Sequence, residues 1–301
     1  MPHPFFAGVD IGASNIRVAI AGRDGAIEAR RATPFTSDPP ERVLRTIGRA
    51  IDDMVRGVWT TASVGAIGVA MPGSVDPARG LIASPTNMPG WDQANVPAIL
   101  GEPRRVPVSV ENDANAAAVG EQWLGAAAGM SDFVFVALGT GIGTGLWLGG
   151  RLHRGAHFLG GEAAFFPMTR EQLAAGDWQH NLEAIVGGRA LDATAREVIG
   201  VRANAPQLFE AAERGDVRAQ TAVRRGQEYL AMAVADMIAL LDPQAIVFGG
   251  GVAMAQGEAF IGPVRDLVHR CVPVKTPIVL SKLGTDAQIL GAVKLAIDAS
   301  G

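Results

Sequence analysis

Twice in this sequence a strand-forming run breaks on a short glycine turn and resumes at once as a second strand. Phe5–Asp10 and Ile16–Ile20 flank Gly12-Ala13-Ser14-Asn15, and Asp132–Leu138 and Thr144–Leu148 flank Gly139-Thr140-Gly141-Ile142-Gly143. Runs rich in β-formers on either side of a glycine cluster are the mark of a hairpin. One such unit at the head of each half predicts duplicated domains that face each other.

The rest of the chain alternates strands and helices. Val43, Ile47, Ile51 and Val55 give Pro40–Arg56 a helical spacing. Val64–Ala70 reads as a buried strand closed by Met71-Pro72-Gly73. Ser84–Trp91, with two prolines and a glycine, reads as loop. Val106–Val110 predicts a strand, after which Asn112 or Asp113 caps a helix running to about Leu124. Leu182–Leu241 is expected to be mostly helical, with breaks at Gly187-Gly188, Gly200 and Pro206. A short strand, Ala245–Phe248, runs into Gly249-Gly250-Gly251. Val279–Leu283 is expected as a last strand and Ala287–Ala299 as a closing helix. Such alternation means an α/β fold.

Composition narrows the function classes. With 301 residues, 48% of them hydrophobic and 19% charged, the chain buries a sizeable core and is not a disordered segment. The formal net charge is -4 with no basic block, so no nucleic-acid or membrane partner is expected. Cys271 is the one cysteine, which rules out a disulfide within the chain and fits a reducing compartment. Met1–Pro4 lacks the basic-then-apolar layout of a signal peptide. Tyr229–Leu241, interrupted by Asp236, is short of the roughly 20 residues that span a bilayer and reads as a buried helix. A soluble, cytoplasmic protein is expected.

Glycine turns let backbone N–H groups approach phosphate oxygens with no Cβ in the way. A Walker A loop is excluded, because no lysine here follows a glycine. A Rossmann fingerprint is excluded too: Gly139-Thr140-Gly141 places Thr144, and the triple glycine places Met254, where the third glycine belongs. Singly, each turn reads as a plain hairpin or a helix cap before it reads as a functional loop. Jointly they describe two phosphate turns with Asp10 ending the first strand, where a carboxylate can hold a metal–phosphate complex, and a triple glycine beside which a nucleoside could lie.

These segments resemble the ROK family of sugar kinases (repressors, open reading frames and kinases), within the actin-like ATPase superfamily, across essentially the whole chain. Gly8-Val9-Asp10-Ile11-Gly12-Ala13-Ser14 is similar to the first phosphate motif and Leu138-Gly139-Thr140-Gly141-Ile142-Gly143 to the second. Ile246-Val247-Phe248-Gly249-Gly250-Gly251 is similar to the adenosine motif. Glu111-Asn112-Asp113-Ala114-Asn115-Ala116-Ala117 is the most specific match and resembles the glucokinase branch. The resemblance implies a two-domain actin-like ATPase (ribonuclease H-like) fold with a central cleft. Residues 1–113, joined by the C-terminal helix of about 287–301, are expected in the N-terminal domain and 114–286 in a larger C-terminal one.

The same resemblance implies ATP and Mg as cofactors. Asp10, Gly12, Ser14, Thr140, Gly141, Gly143, Gly249, Gly250 and Gly251 would meet the nucleotide, and Asp10 would act on Mg indirectly. Phosphoryl transfer to an alcohol needs positioning, charge neutralisation and an acceptor for the hydroxyl proton. Read locally, Asp113 at a strand-to-helix junction is as much a helix cap as a base. The resemblance assigns it as general base toward a sugar hydroxyl, typically O6, and the helix N-terminus is expected to keep it ionised with a low pKa.

For the sugar, the resemblance marks Asn112, Glu162 and Glu183, with Gly73 and Asn87 on loops lining the same pocket. On local sequence alone the two glutamates read first as ordinary surface residues. Two departures stand out. Where many family members carry Glu-x-Gly-His and then a three-cysteine zinc cluster, this chain reads Glu162-Ala163-Ala164-Phe165, and Pro167–Asn181 holds no cysteine. Only His157 and His180 lie near, so no structural zinc is expected and packing by Phe165, Phe166 and Trp178 is expected in its place. Ala13 and Asn15 also replace the commoner Gly and Lys of the first motif.

The leading reading is therefore an ATP-dependent hexose kinase, glucokinase first. Behind it stand a kinase for mannose, fructose or an N-acetylated amino sugar such as N-acetylmannosamine, kept open by Phe165, and a non-catalytic sugar-responsive regulator. Regulators of the family carry an added N-terminal helix-turn-helix domain, for which Gly8 in the first motif leaves no room. The expected partner is a small-molecule sugar, and the family suggests a homodimer.

Overall fold

The computed structural model describes residues 5–58, 63–84, 88, 90–177 and 180–301. The chain forms two compact units. The first takes the chain up to Gly129 together with Arg154–Gly160 and Asp286–Gly301. The second takes Met130–His153 and Gly161–Thr285. The boundary expected at residue 113 thus falls at 129, because the helix that begins at Asp113 packs on the closing helix, Ala287–Ala299, of the first unit.

In the first unit, β1 (Phe5–Ile11), β2 (Asn15–Ala21), β3 (Ile27–Pro34), β4 (Val64–Met71) and β7 (Val108–Asn112) form one sheet in the order β3-β2-β1-β4-β7. The hairpin strands pair antiparallel, and β1, β4 and β7 run parallel. β5 (Ser74–Asp76) and β6 (Leu81–Ser84) make a separate two-stranded ribbon. β4 reads Val-Gly-Ala-Ile-Gly-Val-Ala-Met and is almost wholly buried, as a parallel strand covered on both faces must be. β3, which carries Arg30 and Arg31, is the exposed edge, and charge there discourages further pairing.

Helix α1 (Pro40–Val58) turns Val43, Leu44, Ile47 and Ile51 into a core shared with Val9, Ile67 and Trp91, and the short α2 (Val96–Leu100) closes its end. The other face is covered by α3 (Asp113–Leu124) and the closing helix. Their approach is close: a Cβ at Gly291 would stand 1.7 Å from the Ala116 carbonyl oxygen, so only glycine allows this crossing.

The second unit repeats the plan. Its strands β8 (Phe133–Leu138), β9 (Ile142–Leu148), β10 (Arg151–Leu152), β11 (Ala245–Gly249) and β12 (Ile278–Leu280) are ordered β10-β9-β8-β11-β12, the first sheet's order one for one. Here too the hairpin strands are antiparallel and β8, β11 and β12 parallel. Between β10 and β11 lie α4 (Arg170–Ala175), α5 (Glu183–Val186), α6 (Gly188–Val198), α7 (Ala205–Glu213) and α8 (Val217–Leu241), and α9 (Gly251–Cys271) joins β11 to β12. Leu230, Val234 and Ile238 of α8 pack with Phe248 and Phe260, and Phe260 meets Phe209 edge to face at 5.5 Å.

Several boundaries differ from expectation. Pro206 does not break a helix but stands in the first turn of α7, where its missing N–H is harmless. β7 is Val108–Asn112 rather than Val106–Val110, and β12 is Ile278–Leu280 rather than Val279–Leu283. No helix among the described residues is long and apolar enough to cross a membrane.

Candidate active site

The parallel strands of the first unit end together, and their carboxyl ends carry the polar residues. Asp10 in β1 lies level with Ala70 of β4, and Ala70 with Glu111 of β7. Met71 lies opposite Asn112, after which the chain turns into α3 with Asp113 as its first residue. The carboxyl ends of parallel strands are where open α/β sheets bind their ligands.

Asp10 is 6% exposed and faces Arg17 across the hairpin. Arg17 Nε donates to Asp10 Oδ2 at 2.8 Å and Nη2 lies 2.7 Å from the same oxygen. Burial raises the Asp10 pKa above its ordinary value, and the Arg17 charge and hydrogen bond only partly offset this. The turn itself is closed by Gly12 N–H donating to the Asn15 carbonyl at 2.9 Å, while Phe35 N–H donates to that of Ser14 at 2.9 Å, so Gly12 and Ser14 stand beside Asp10 on a fixed loop.

The junction into α3 is held from two sides. Asn112 is the N-cap: its Oδ1 accepts from Ala114 N–H at 2.9 Å and Asn115 N–H at 3.0 Å, and its Nδ2 donates to the Gly73 carbonyl at 3.1 Å. Asn112 and Gly73 are thereby joined, with one Asn112 amide hydrogen left for a ligand. From the other side Glu111 Oε1 accepts from Asn112 N–H and from Asn115 Nδ2, each at 3.0 Å. Glu111 Oε2 accepts from Arg154 Nε at 2.7 Å.

The cap is therefore Asn112, and Asp113 is free of that duty, although its Oδ1 accepts from Ala114 N–H at 2.8 Å. Its pKa is raised to about 6, first by burial and then by the negative charge of Asp10, which outweigh the backbone N–H bonds. The low pKa expected from the helix N-terminus is thus corrected. Loss of water and a second carboxylate win over the helix dipole.

In the second unit the turn after β8 and the triple glycine after β11 share one end of the sheet, Ala137 lying level with Gly249. Gly249 ends β11, Gly250 stands at the N-cap position and Gly251 begins α9. The turn carrying Thr140, Gly141 and Gly143 is fixed by its neighbours: Gly188 N–H donates to the Gly139 carbonyl at 2.8 Å and Arg189 N–H to that of Thr140 at 3.0 Å.

Glu183, at the start of α5, accepts from Ile142 N–H at 2.8 Å through Oε2, and a Cβ at Gly141 would stand 2.0 Å from that oxygen. The only carboxylate on α5 is aimed at the turn and braces it, which requires glycine at position 141. Glu162 is half-buried ahead of the 3-10 turn Ala163–Phe165.

The cysteine-free segment is closed by hydrogen bonds as well as packing. Asn181 Nδ2 donates to the Phe165 carbonyl at 2.6 Å, Leu182 N–H to that of Phe166 at 3.1 Å, and Thr169 with Gln172 forms a capping box on α4. Phe166 packs on the core. His180 pairs instead with Asp177, Nδ1 to Oδ2 at 2.6 Å. Asn87 and Trp178 lie outside the described residues.

Sequence reasoning missed Arg17, Glu111 and Arg154. Arg17 had a signal, since a turn closing between Ile11 and Ile16 puts position 17 opposite Asp10. Arg154 had none.

The comparisons agree with this architecture. The chain is 32% identical to a glucokinase of Thermotoga maritima over 98% of both chains, and 29% identical to an N-acetylmannosamine kinase of Escherichia coli O127:H6 over 96% of this chain and 97% of that one. The crystal structure of a ROK family glucokinase from Streptomyces griseus, in complex with glucose and AMPPNP, superposes with a TM-score of 0.81 at 28% identity over 98% of this chain and 99% of that one. The ROK family profile matches residues 6–299, so that over nearly its whole length, and with the actin-like ATPase fold, the chain belongs to the ROK family.

Proposed function

We propose that this ROK-family sugar kinase transfers the γ-phosphoryl group of ATP to a hexose, glucose at O6 first, with Asp113 as the general base. The observation that carries the reading is the state of Asp113. A carboxylate whose pKa is about 6 is largely ionised at neutral pH yet basic enough to take a proton as the sugar oxygen attacks. In a loose transition state that proton leaves late, so a mild base suffices. Its seat at the first turn of a helix fixes its direction.

In this reading Asn112 and Gly73 serve the sugar, and Glu162 and Asn87 are assigned to it by the family resemblance alone. The turns at Gly12–Ser14 and Thr140–Gly143 and the triple glycine 249–251 serve the nucleotide, Glu183 holding the second turn in shape. Asp10, paired with Arg17, and Asp113 are two carboxylates near enough for one to raise the pKa of the other, oxygen donors of the kind a hydrated divalent cation takes. Mg bound with ATP would supply neutralisation of phosphate charge, and Asp10 would hold it through water, Arg17 meeting its Oδ2. We place the enzyme in the cytoplasm as a homodimer, the latter to be checked by sedimentation equilibrium.

A second substrate class is favoured by Phe165, which stands where the ROK resemblance implies a sugar-binding histidine. An apolar face there suits the acetyl group of an N-acetylhexosamine, and one relative is named for that activity. Coupled ADP release with Mg-ATP over glucose, mannose, fructose and N-acetylmannosamine decides between them. Turnover fastest on glucose supports the first reading, turnover fastest on N-acetylmannosamine supports the second, and no ADP release on any sugar overturns both.

A further inference from the structure

Glu111 sits at the end of β7 and is 1% exposed. A carboxylate removed from water to this degree needs a cation and full hydrogen bonding to stay charged. Both are present. Oε1 accepts from Asn112 N–H and Asn115 Nδ2, and Oε2 accepts from Arg154 Nε and lies 2.7 Å from Arg154 Nη2. Arg154 reaches in from a loop fastened at its base, where Gly160 N–H donates to the Arg154 carbonyl at 2.9 Å.

The place of this pair matters more than its charge. Where an extended strand turns into a helix, the first N–H groups of the helix lack partners. Asn112 caps two of them, Ala114 and Asn115, and Glu111 fixes Asn112 itself by its N–H and Asn115 by its side chain. Asp113 lies between the two residues so fixed.

We propose that Arg154 is a positioning residue for Asp113, pairing with the buried Glu111 to fix the junction from which the base emerges. This rests on the reading of Asp113 as the base. The charge that acts on that carboxylate is Asp10 on β1, itself paired with Arg17 on β2, while Glu111, two residues before it on β7, is paired with Arg154. Burial and Asp10 raise its pKa. Glu111 stays neutralised while Arg154 is paired to it.

The test is steady-state kinetics of Arg154→Met, Glu111→Gln and the double variant, with Mg-ATP and whichever sugar the wild type turns over fastest. Arg154→Met is expected to lose kcat about tenfold or more, a displacement near 1 Å sufficing for such losses, with the KM for ATP within about twofold of wild type. The double variant, whose glutamine keeps the acceptor for Asn112 without the charge, recovers kcat to within about threefold of wild type.

Wild-type kcat in Arg154→Met, or a double variant as slow as that single one, overturns the proposal. Should Arg154→Met fail to fold, Arg154→Lys keeps the charge without two N–H donors on one oxygen. It is expected to lose about threefold to tenfold in kcat at an unchanged thermal midpoint, and wild-type kcat there overturns the proposal too. Asp113→Asn is run alongside. If it turns over, the base reading fails whatever Arg154 does.

Discussion

Asp10 and Arg17 stand opposite each other in the β1–β2 ladder, the half-buried guanidinium meeting one oxygen of the buried carboxylate at 2.7–2.8 Å. The pair explains how the first unit tolerates two acidic groups, Asp10 and Asp113, close enough for one to raise the pKa of the other.

Removing the cation alone should therefore be costly. Arg17→Met leaves Asp10 buried and unpaired, and a loss of about 3 kcal/mol in urea-denaturation stability is expected. Arg17→Met combined with Asp10→Asn should lose less than Arg17→Met by itself, because the orphaned charge has gone.

The raised pKa of Asp113 fixes a pH dependence. The base works ionised, so kcat/KM should be level above about pH 7, halve near pH 6 and fall about tenfold per unit below it. An acid limb near 4 in the pH–rate profile contradicts this assignment.

Stability should move the opposite way. The folded pKa of Asp113 lies above the model-compound value of 3.8, so the folded state binds its proton more tightly and the ionised form costs stability as pH rises from 3.8 through about 6. Asp113→Asn removes that cost. At pH 7.5 it should gain roughly 1–3 kcal/mol, read as a higher thermal midpoint. An unchanged or lower midpoint shows that the carboxylate is not strained by burial.

The nucleotide side has its own test. Gly141→Ala sets a methyl group where Glu183 Oε2 stands and must push the brace off the turn. The KM for ATP should rise about tenfold, the loss of a charge-assisted hydrogen bond and the turn's shape being of that order, while sugar affinity measured by calorimetry stays unchanged.

How much of this was legible in the sequence varies by element. Ala287–Ala299 was read to the residue because its apolar positions recur at helical spacing without a break. The two hairpins were legible from their glycine turns, and the shared strand order shows the duplication they foretold. β3 was not seen. An exposed edge strand carrying Arg30 and Arg31 has no buried face to impose alternation. α9 was also missed, because Gly257, at φ 54°, kinks it, Pro263 interrupts it, and packing on the sheet holds the two pieces. In the site, the place of Asp113 at a strand-to-helix junction was legible and its pKa was not. Local sequence reports the helix N-terminus, whereas burial and the neighbourhood of Asp10 depend on the whole sheet. Arg154, 43 residues beyond Glu111, carries no local sign of its partner.

The account turns on Asp113 as the proton acceptor. The most direct measurement is coupled ADP release by Asp113→Asn beside wild type at pH 7.5, with sugar binding followed by calorimetry on the same samples. We expect turnover to drop by about a thousandfold or more, the upper part of what a positioned base contributes, with the sugar dissociation constant within about threefold of wild type. Turnover within tenfold of wild type, from a variant that still binds sugar, contradicts the account.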